Sequence, residues 1–161
     1  MSIEFVKHLK IHFDLSMDMI ENHINNCPDE LWDQKCGGFV FFQQILHCLT
    51  GTLFWTRSTN NDFTEPFHDR VVYTELEKDP VGKITKTEMT EFADKVRVQA
   101  EELFLNKNDQ WLLTDNIIYN KIKNIDVIEG QIRHIQYHVG HCNSALRERN
   151  LKAVDWVEYY G

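Results

Sequence analysis

Apolar residues recur every three or four positions along four long stretches of the chain, the pattern of helices that bury one face. These stretches are residues 3–25, 42–55, 87–105 and 126–149, with Thr87 expected as the N-cap of the third. Only seven Gly and three Pro interrupt the 161 residues. The pattern therefore predicts four long α-helices.

Two long connections separate the last three of these helices. Residues 58–86 are polar and are expected to be irregular, with one short element at 70–73. Residues 106–124 contain two apolar runs, 111–113 and 117–119, which we predict to be short extended pieces. A connection of such length in a compact domain is often functional or crosses over the fold.

An aromatic-rich tail, residues 153–161, follows the fourth helix and is expected to pack back on the others. Four helices of this length, joined by long connections, predict an all-α fold, a four-helix bundle with long crossover connections. The length suits one domain with a substantial core, residues 1–161.

Composition and charge narrow the classes of function. The chain is 42% hydrophobic and 26% charged, as in ordinary soluble proteins, and its formal net charge is −8. This negative charge argues against nucleic acid and against anionic membrane surfaces as partners. The N-terminal residues show no basic segment followed by an apolar run, and no apolar stretch approaches membrane-spanning length.

Four cysteines are scattered along the chain without a Cys-x-x-Cys pair: Cys27, Cys36, Cys48 and Cys142. We interpret them as reduced thiols of a cytoplasmic protein. Cys142 belongs to the apolar stripe of the fourth helix, which favours a buried structural thiol over a nucleophile.

Histidines provide the main candidate chemistry. His134 and His138 are four residues apart, so on a helix they share a face and can reach one metal ion, at about 2.0–2.1 Å for zinc. His138 lies nearest the apolar stripe, and His141 lies furthest from it. His8 and His12 have the same spacing on the first helix, and spacing alone does not choose between the pairs.

The flank that His134 and His138 share also carries Val127, Gln131 and Ala145, a set of small and polar residues typical of a cleft lining. On the second helix, His47 lies within an apolar stretch, next to Leu46 of the stripe. A histidine in that position is typical of a core edge, although metal sites in helical bundles are also built from facing helices.

Parts of the second and fourth helices together resemble the DinB-like family of small bacterial metal-binding proteins. The family shares a four-helix bundle with YfiT-like proteins and thiol-dependent S-transferases. The matching segments are Ile45-Leu46-His47-Cys48-Leu49, Phe54-Trp55, His134-x-x-x-His138-x-Gly140 and Leu146-Arg147. Where many members have Arg and Gln around the glycine, this chain has Val139 and His141.

The resemblance implies that His47, His134 and His138 are the three ligands of a divalent transition metal, zinc or nickel. Gln44 and Gln131, one turn before ligands, are candidates to orient them. A glycine inside a helix costs about 1 kcal/mol against alanine, so we expect close packing at Gly140.

Two functions follow as hypotheses. The resemblance implies a metal-dependent hydrolase or thiol S-transferase that acts on a small molecule. The alternative is a non-catalytic stress-response or binding module without a functional metal. A homodimer formed through a helix face is the expected assembly. The ring of His47 separates the two hypotheses, since it must meet those of His134 and His138 for a metal site to exist.

Overall fold

A computed structural model describes residues 4–159, and their structure is mostly helical. The elements in chain order are α1 (Phe5–Asn26), α2 (Asp29–Trp32), β1 (Lys35–Cys36), β2 (Phe39–Val40), α3 (Phe41–Trp55), α4 (Lys86–Phe104), α5 (Asp109–Leu112) and α6 (Asn124–Glu148). The all-α prediction is thereby confirmed, and α1, α3, α4 and α6 are the four helices that the apolar periodicity predicted.

The start of α4 differs from the prediction, because its N-cap is Thr85 and not Thr87. The Thr85 hydroxyl accepts from the Glu88 backbone N–H at 3.2 Å, and the Glu88 carboxylate accepts from the Thr85 N–H at 2.9 Å. This reciprocal pair is a capping box. The Arg70 guanidinium, together with hydrogen bonds from the Thr85 backbone N–H and hydroxyl to the carboxylate, lowers the pKa of Glu88 to about 2.

Short elements lie in the connections between α1 and α3 and between α4 and α6. β1 and β2 form an antiparallel hairpin, whose turn places Gly37 and Gly38 at φ of 64° and 93°, where glycine is favoured. The run 111–113 was predicted to be extended, but most of it lies in α5, where the Asn108 side chain accepts from the Trp111 N–H. Residues 70–73 form no regular element.

The long helices pack in a cycle: α1 contacts α6 and α4, and α3 contacts α6 and α4. Their apolar stripes meet in one core, whose fully buried members include Phe13, Met17, Ile20, Ile45, Leu46, Leu49, Met89, Ile128 and Ile135. The interface between α3 and α6 is the part of this core that matters for the site, because the predicted ligands lie on these two helices.

Gly140 does not have the packing role that the sequence suggested. A Cβ atom built on Gly140 meets no atom within 4 Å, and the residue is exposed on α6. The expectation of close packing there was therefore wrong.

The C-terminal segment packs back on the helices only in part. Leu151, Val154 and Val157 contact the core, whereas Trp156 is 69% exposed. The Tyr159 ring lies against α1, and Tyr160 and Gly161 fall outside the described residues. In the part of the chain that the structure describes, no helix has both the length and the apolar character needed to span a bilayer.

Candidate metal centre

Three histidine side chains converge between α3 and α6. His47 comes from α3, and His134 and His138 come from successive turns of α6. One ring nitrogen of each lies within 4.8 Å of the others. The ring centroids are 4.7 Å apart for His134 and His138, 4.9 Å for His47 and His138, and 5.4 Å for His47 and His134. The structure thus brings together the three residues that the resemblance implied.

The Nδ1 atoms of two of these rings are within hydrogen-bond distance of oxygen acceptors. His47 Nδ1 lies 2.8 Å from the backbone carbonyl of Thr74, and His138 Nδ1 lies 2.7 Å from the side-chain oxygen of Gln44. Because a carbonyl oxygen can only accept, each Nδ1 carries the proton. In a neutral ring the Nε2 lone pair is then free to bind a metal.

His134, one turn before His138 on α6, contacts the His138 ring. Its Nε2 lies 3.1 Å from Nε2 of His138. Since the His138 Nε2 is unprotonated, His134 donates this hydrogen bond. Its own Nδ1 is buried without a partner among the described residues. The bridging proton therefore lies between two of the three nitrogens that could hold a cation.

Burial keeps the rings of His134 and His138 neutral. His138 is only 2% exposed, and desolvation, reinforced by the charges of His134, His47 and His141, lowers its pKa to about 3. Desolvation and the charge of His47 lower the pKa of His134 to about 4. Neutral imidazole is the form that binds metals, so His134 and His138 need not lose a charge before they bind one at neutral pH.

A glycine on α3 makes room for His134. A Cβ atom built on Gly51 would lie 2.8 Å from Cε1 of the His134 ring, closer than real Cβ contacts come. Gly51 lies one turn after His47, on the same face of α3. The absence of a side chain at this position lets the His134 ring enter the interface.

The other predicted candidates lie apart from this cluster. His8 and His12 are exposed on α1, where His8 Nδ1 lies 3.2 Å from the Tyr159 hydroxyl. The His12 ring stacks on the Tyr159 ring. His141 is half-buried, with its ring centroid 6.3 Å from that of His138, and it is not a member of the three-histidine group.

The four cysteines are free thiols and are all buried. Burial raises the thiol pKa of Cys27 to about 12 and also raises the pKa values of Cys48 and Cys142 well above the usual range of a thiol. Thiols with such pKa values are not thiolates at neutral pH. The expectation that Cys142 is buried is confirmed.

The flank beside His134 and His138 is largely closed. Val127, Gln131 and Ala145 are all buried. Ala145 lines a cavity of about 120 Å³ that Gln44 and His141 also line. Of the two glutamines predicted to orient ligands, Gln44 does so, whereas Gln131 Oε1 is buried without a partner among the described residues.

Two contributors to the site were not found from the sequence. Thr74 acts through its backbone carbonyl, a group that every residue has, so no residue pattern could mark it. Gly51 did carry a signal, because a glycine inside a helix is unfavourable and needs a reason. Its position four residues after His47 could have suggested that a ring from a neighbouring helix lies there.

Acid should destabilise the metal-free protein through its buried histidines. Burial lowers the pKa values of His23 and His134 from 6.5 to about 4. Between these values the unfolded chain binds more protons than the folded chain, so the free energy of unfolding falls with falling pH. The contribution of each such histidine to the free energy of unfolding is fully present above pH 6.5. It falls by about 1.4 kcal/mol for each pH unit between pH 6.5 and about pH 4, below which the folded chain binds the proton as well.

Urea unfolding at pH 7.5 and pH 5.0, in the presence of a chelator, measures this effect. His23→Phe, which replaces one buried imidazole on α1 with an apolar ring, should reduce the loss of stability over this range by about 2 kcal/mol. Equal stability of the wild-type protein at both pH values would contradict the prediction.

Comparisons of the chain with protein-family models, with curated proteins and with solved structures find no match in any of the three.

Proposed function

We propose that this protein binds one divalent transition metal ion through His47, His134 and His138 and uses it in a reaction of a small molecule. We propose further that it is a four-helix-bundle protein of DinB-like type, in which the long connections before α4 and α6 are the crossovers. The observation that carries the proposal is the convergence of three imidazoles from two facing helices.

The donor set fits such an ion. Nε2 atoms of ligands bound tetrahedrally to one zinc ion lie about 3.3 Å apart, and those of His134 and His138 already lie 3.1 Å apart. Imidazole ligands suit zinc and nickel, and we propose one of these two. Three protein ligands leave a coordination position open, which is typical of catalytic and not of structural zinc sites.

When bound, the metal would supply a Lewis acid that polarises a substrate group or lowers the pKa of water or a thiol. The protein's own residues prepare the site. Thr74 and Gln44 hold the rings of His47 and His138 with Nε2 turned toward the centre. To bind a metal through Nε2, His134 would move the proton that it shares with His138 from its Nε2 to its Nδ1.

His47 and His134 are half-buried, whereas His138 is buried. We infer that a small molecule approaches the centre from the side of His47 and His134. These features favour a hydrolase or a thiol S-transferase, because both reactions need a partly exposed metal with an open position.

Metal analysis of protein purified without a histidine tag tests the proposal. We expect one equivalent of zinc or nickel after reconstitution, and anomalous scattering from a crystal should place the ion among His47, His134 and His138. Substoichiometric metal after reconstitution, or an ion bound elsewhere, would overturn the proposal.

A further inference from the structure

Gln43 is a buried glutamine on α3, one helical turn before His47. The two side chains are four residues apart and leave the same face of the helix. The Gln43 side chain is fully buried, although glutamine is mostly exposed in folded proteins. Its amide group therefore needs partners inside the protein.

These partners are three backbone carbonyls of one loop segment, residues 73–78. Gln43 Nε2 lies 2.7 Å from the carbonyl oxygen of Lys78, 3.1 Å from that of Glu75 and 3.3 Å from that of Tyr73. An amide has two N–H donors, so at least one hydrogen is shared between two acceptors. Gln43 thus attaches the loop to α3 at three of its carbonyls.

The orientation of the Gln43 amide follows from its partners. Its oxygen is buried without a partner among the described residues. With the opposite orientation, this oxygen would face three carbonyl oxygens, none of which can donate a hydrogen bond. Only the orientation with the NH₂ group toward the loop is chemically consistent.

The same loop segment contains the acceptor for His47. The carbonyl of Thr74 accepts from His47 Nδ1, and the carbonyls on either side of it, those of Tyr73 and Glu75, accept from Gln43. Tyr73 has a φ of 48°, a conformation that is uncommon for residues other than glycine and needs support from surrounding contacts. Gln43 provides that support beside the Thr74 carbonyl.

We propose that Gln43 is a positioning residue for the metal centre, an inference that rests on the proposed function. By holding residues 73–78, it holds the Thr74 carbonyl, which keeps the proton of His47 on Nδ1. Without a fixed acceptor, a neutral imidazole distributes its proton between both nitrogens, and only the form with a free Nε2 can serve as the ligand here.

Replacement of Gln43 by methionine tests this role, because methionine has similar length and no donor. In the metal-free wild-type protein at pH 8, long-range ¹H–¹⁵N NMR should find the His47 proton on Nδ1. In Gln43→Met the spectrum should contain both tautomers. The affinity for Zn²⁺, measured by calorimetric titration, should fall about 10-fold, the loss that is typical when a residue that orients a metal ligand is replaced.

Gln99→Met is the matched control. The Gln99 amide also donates to α3, to the carbonyl of Leu53 at 2.6 Å and to the Thr56 hydroxyl oxygen at 2.7 Å. This variant should lose stability but keep both the His47 tautomer and the affinity for Zn²⁺. If Gln43→Met does not fold, Gln43→Asn, with an amide one methylene shorter, should change the tautomer in the same direction to a smaller extent.

The outcomes separate the two proposals. An unchanged His47 tautomer in a folded Gln43 variant overturns the role of Gln43, as does an equal loss of Zn²⁺ affinity in Gln99→Met. A wild-type protein that binds no Zn²⁺ or Ni²⁺ overturns the proposed function. In that case, the comparison of tautomers in the metal-free protein still decides whether Gln43 controls His47.

Discussion

Replacement of His138 by alanine should abolish metal binding. His138 is the most buried of the three ligands and has a hydrogen-bond partner at each ring nitrogen, Gln44 at Nδ1 and His134 at Nε2. We expect the affinity for Zn²⁺ to fall more than about 100-fold, which exceeds the loss typical of replacing a residue that only orients a ligand. Calorimetric titration of protein without a histidine tag measures this change.

His141→Ala is the matched control for this experiment. His141 is a half-buried histidine one turn further along α6, outside the three-histidine group. Its replacement should leave Zn²⁺ affinity within experimental error of the wild type. The truncation of His138 also leaves Gln44 without its partner, so His47→Ala, at a less buried ligand, should be measured beside it. Wild-type affinity in either ligand variant would contradict the assignment of the site.

Gly51→Ala should weaken the metal site even though it improves the helix. Alanine is favoured over glycine inside a helix by about 1 kcal/mol. The added Cβ would nevertheless lie 2.8 Å from the His134 ring, so the ring must move. We expect the affinity for Zn²⁺ to fall about 10- to 100-fold, because a small displacement of a ligand weakens coordination as the loss of an orienting residue does.

Gly140→Ala separates the two effects of this substitution. Gly140 is also inside a helix, but a Cβ built there meets no atom within 4 Å. This variant should gain about 1 kcal/mol in the free energy of unfolding and keep its affinity for Zn²⁺. Urea unfolding and metal titration of both glycine variants measure the two quantities. Equal Zn²⁺ affinities in Gly51→Ala and Gly140→Ala would show that the His134 ligand does not depend on the space beside Gly51.

Local patterns account for the elements that the sequence predicted well. The apolar periodicity identified α1, α3, α4 and α6 to within a few residues, because one buried face repeats with the helical period. Predictions that depended on weaker signals failed. The N-cap prediction at Thr87 used the weaker of two signals, because Thr87 has Thr90 at the capping-box position, whereas Thr85 has Glu88 there and is the N-cap that the structure shows.

For the site, the sequence by itself determined that His134 and His138 share a face, since four residues make about one helical turn. It did not choose between this pair and His8 with His12, and His47 was singled out by a family resemblance and not by spacing. A sequence pattern contains no information on which faces of distant helices meet.

Only the tertiary structure decided that His47 meets His134 and His138, because this depends on how α3 packs on α6. It also decided which nitrogen of His47 carries the proton, since the hydrogen-bond acceptor of this ring is a backbone carbonyl from a loop 27 residues away in the chain. Helix formation is local, whereas the preparation of a metal ligand depends on contacts between distant segments.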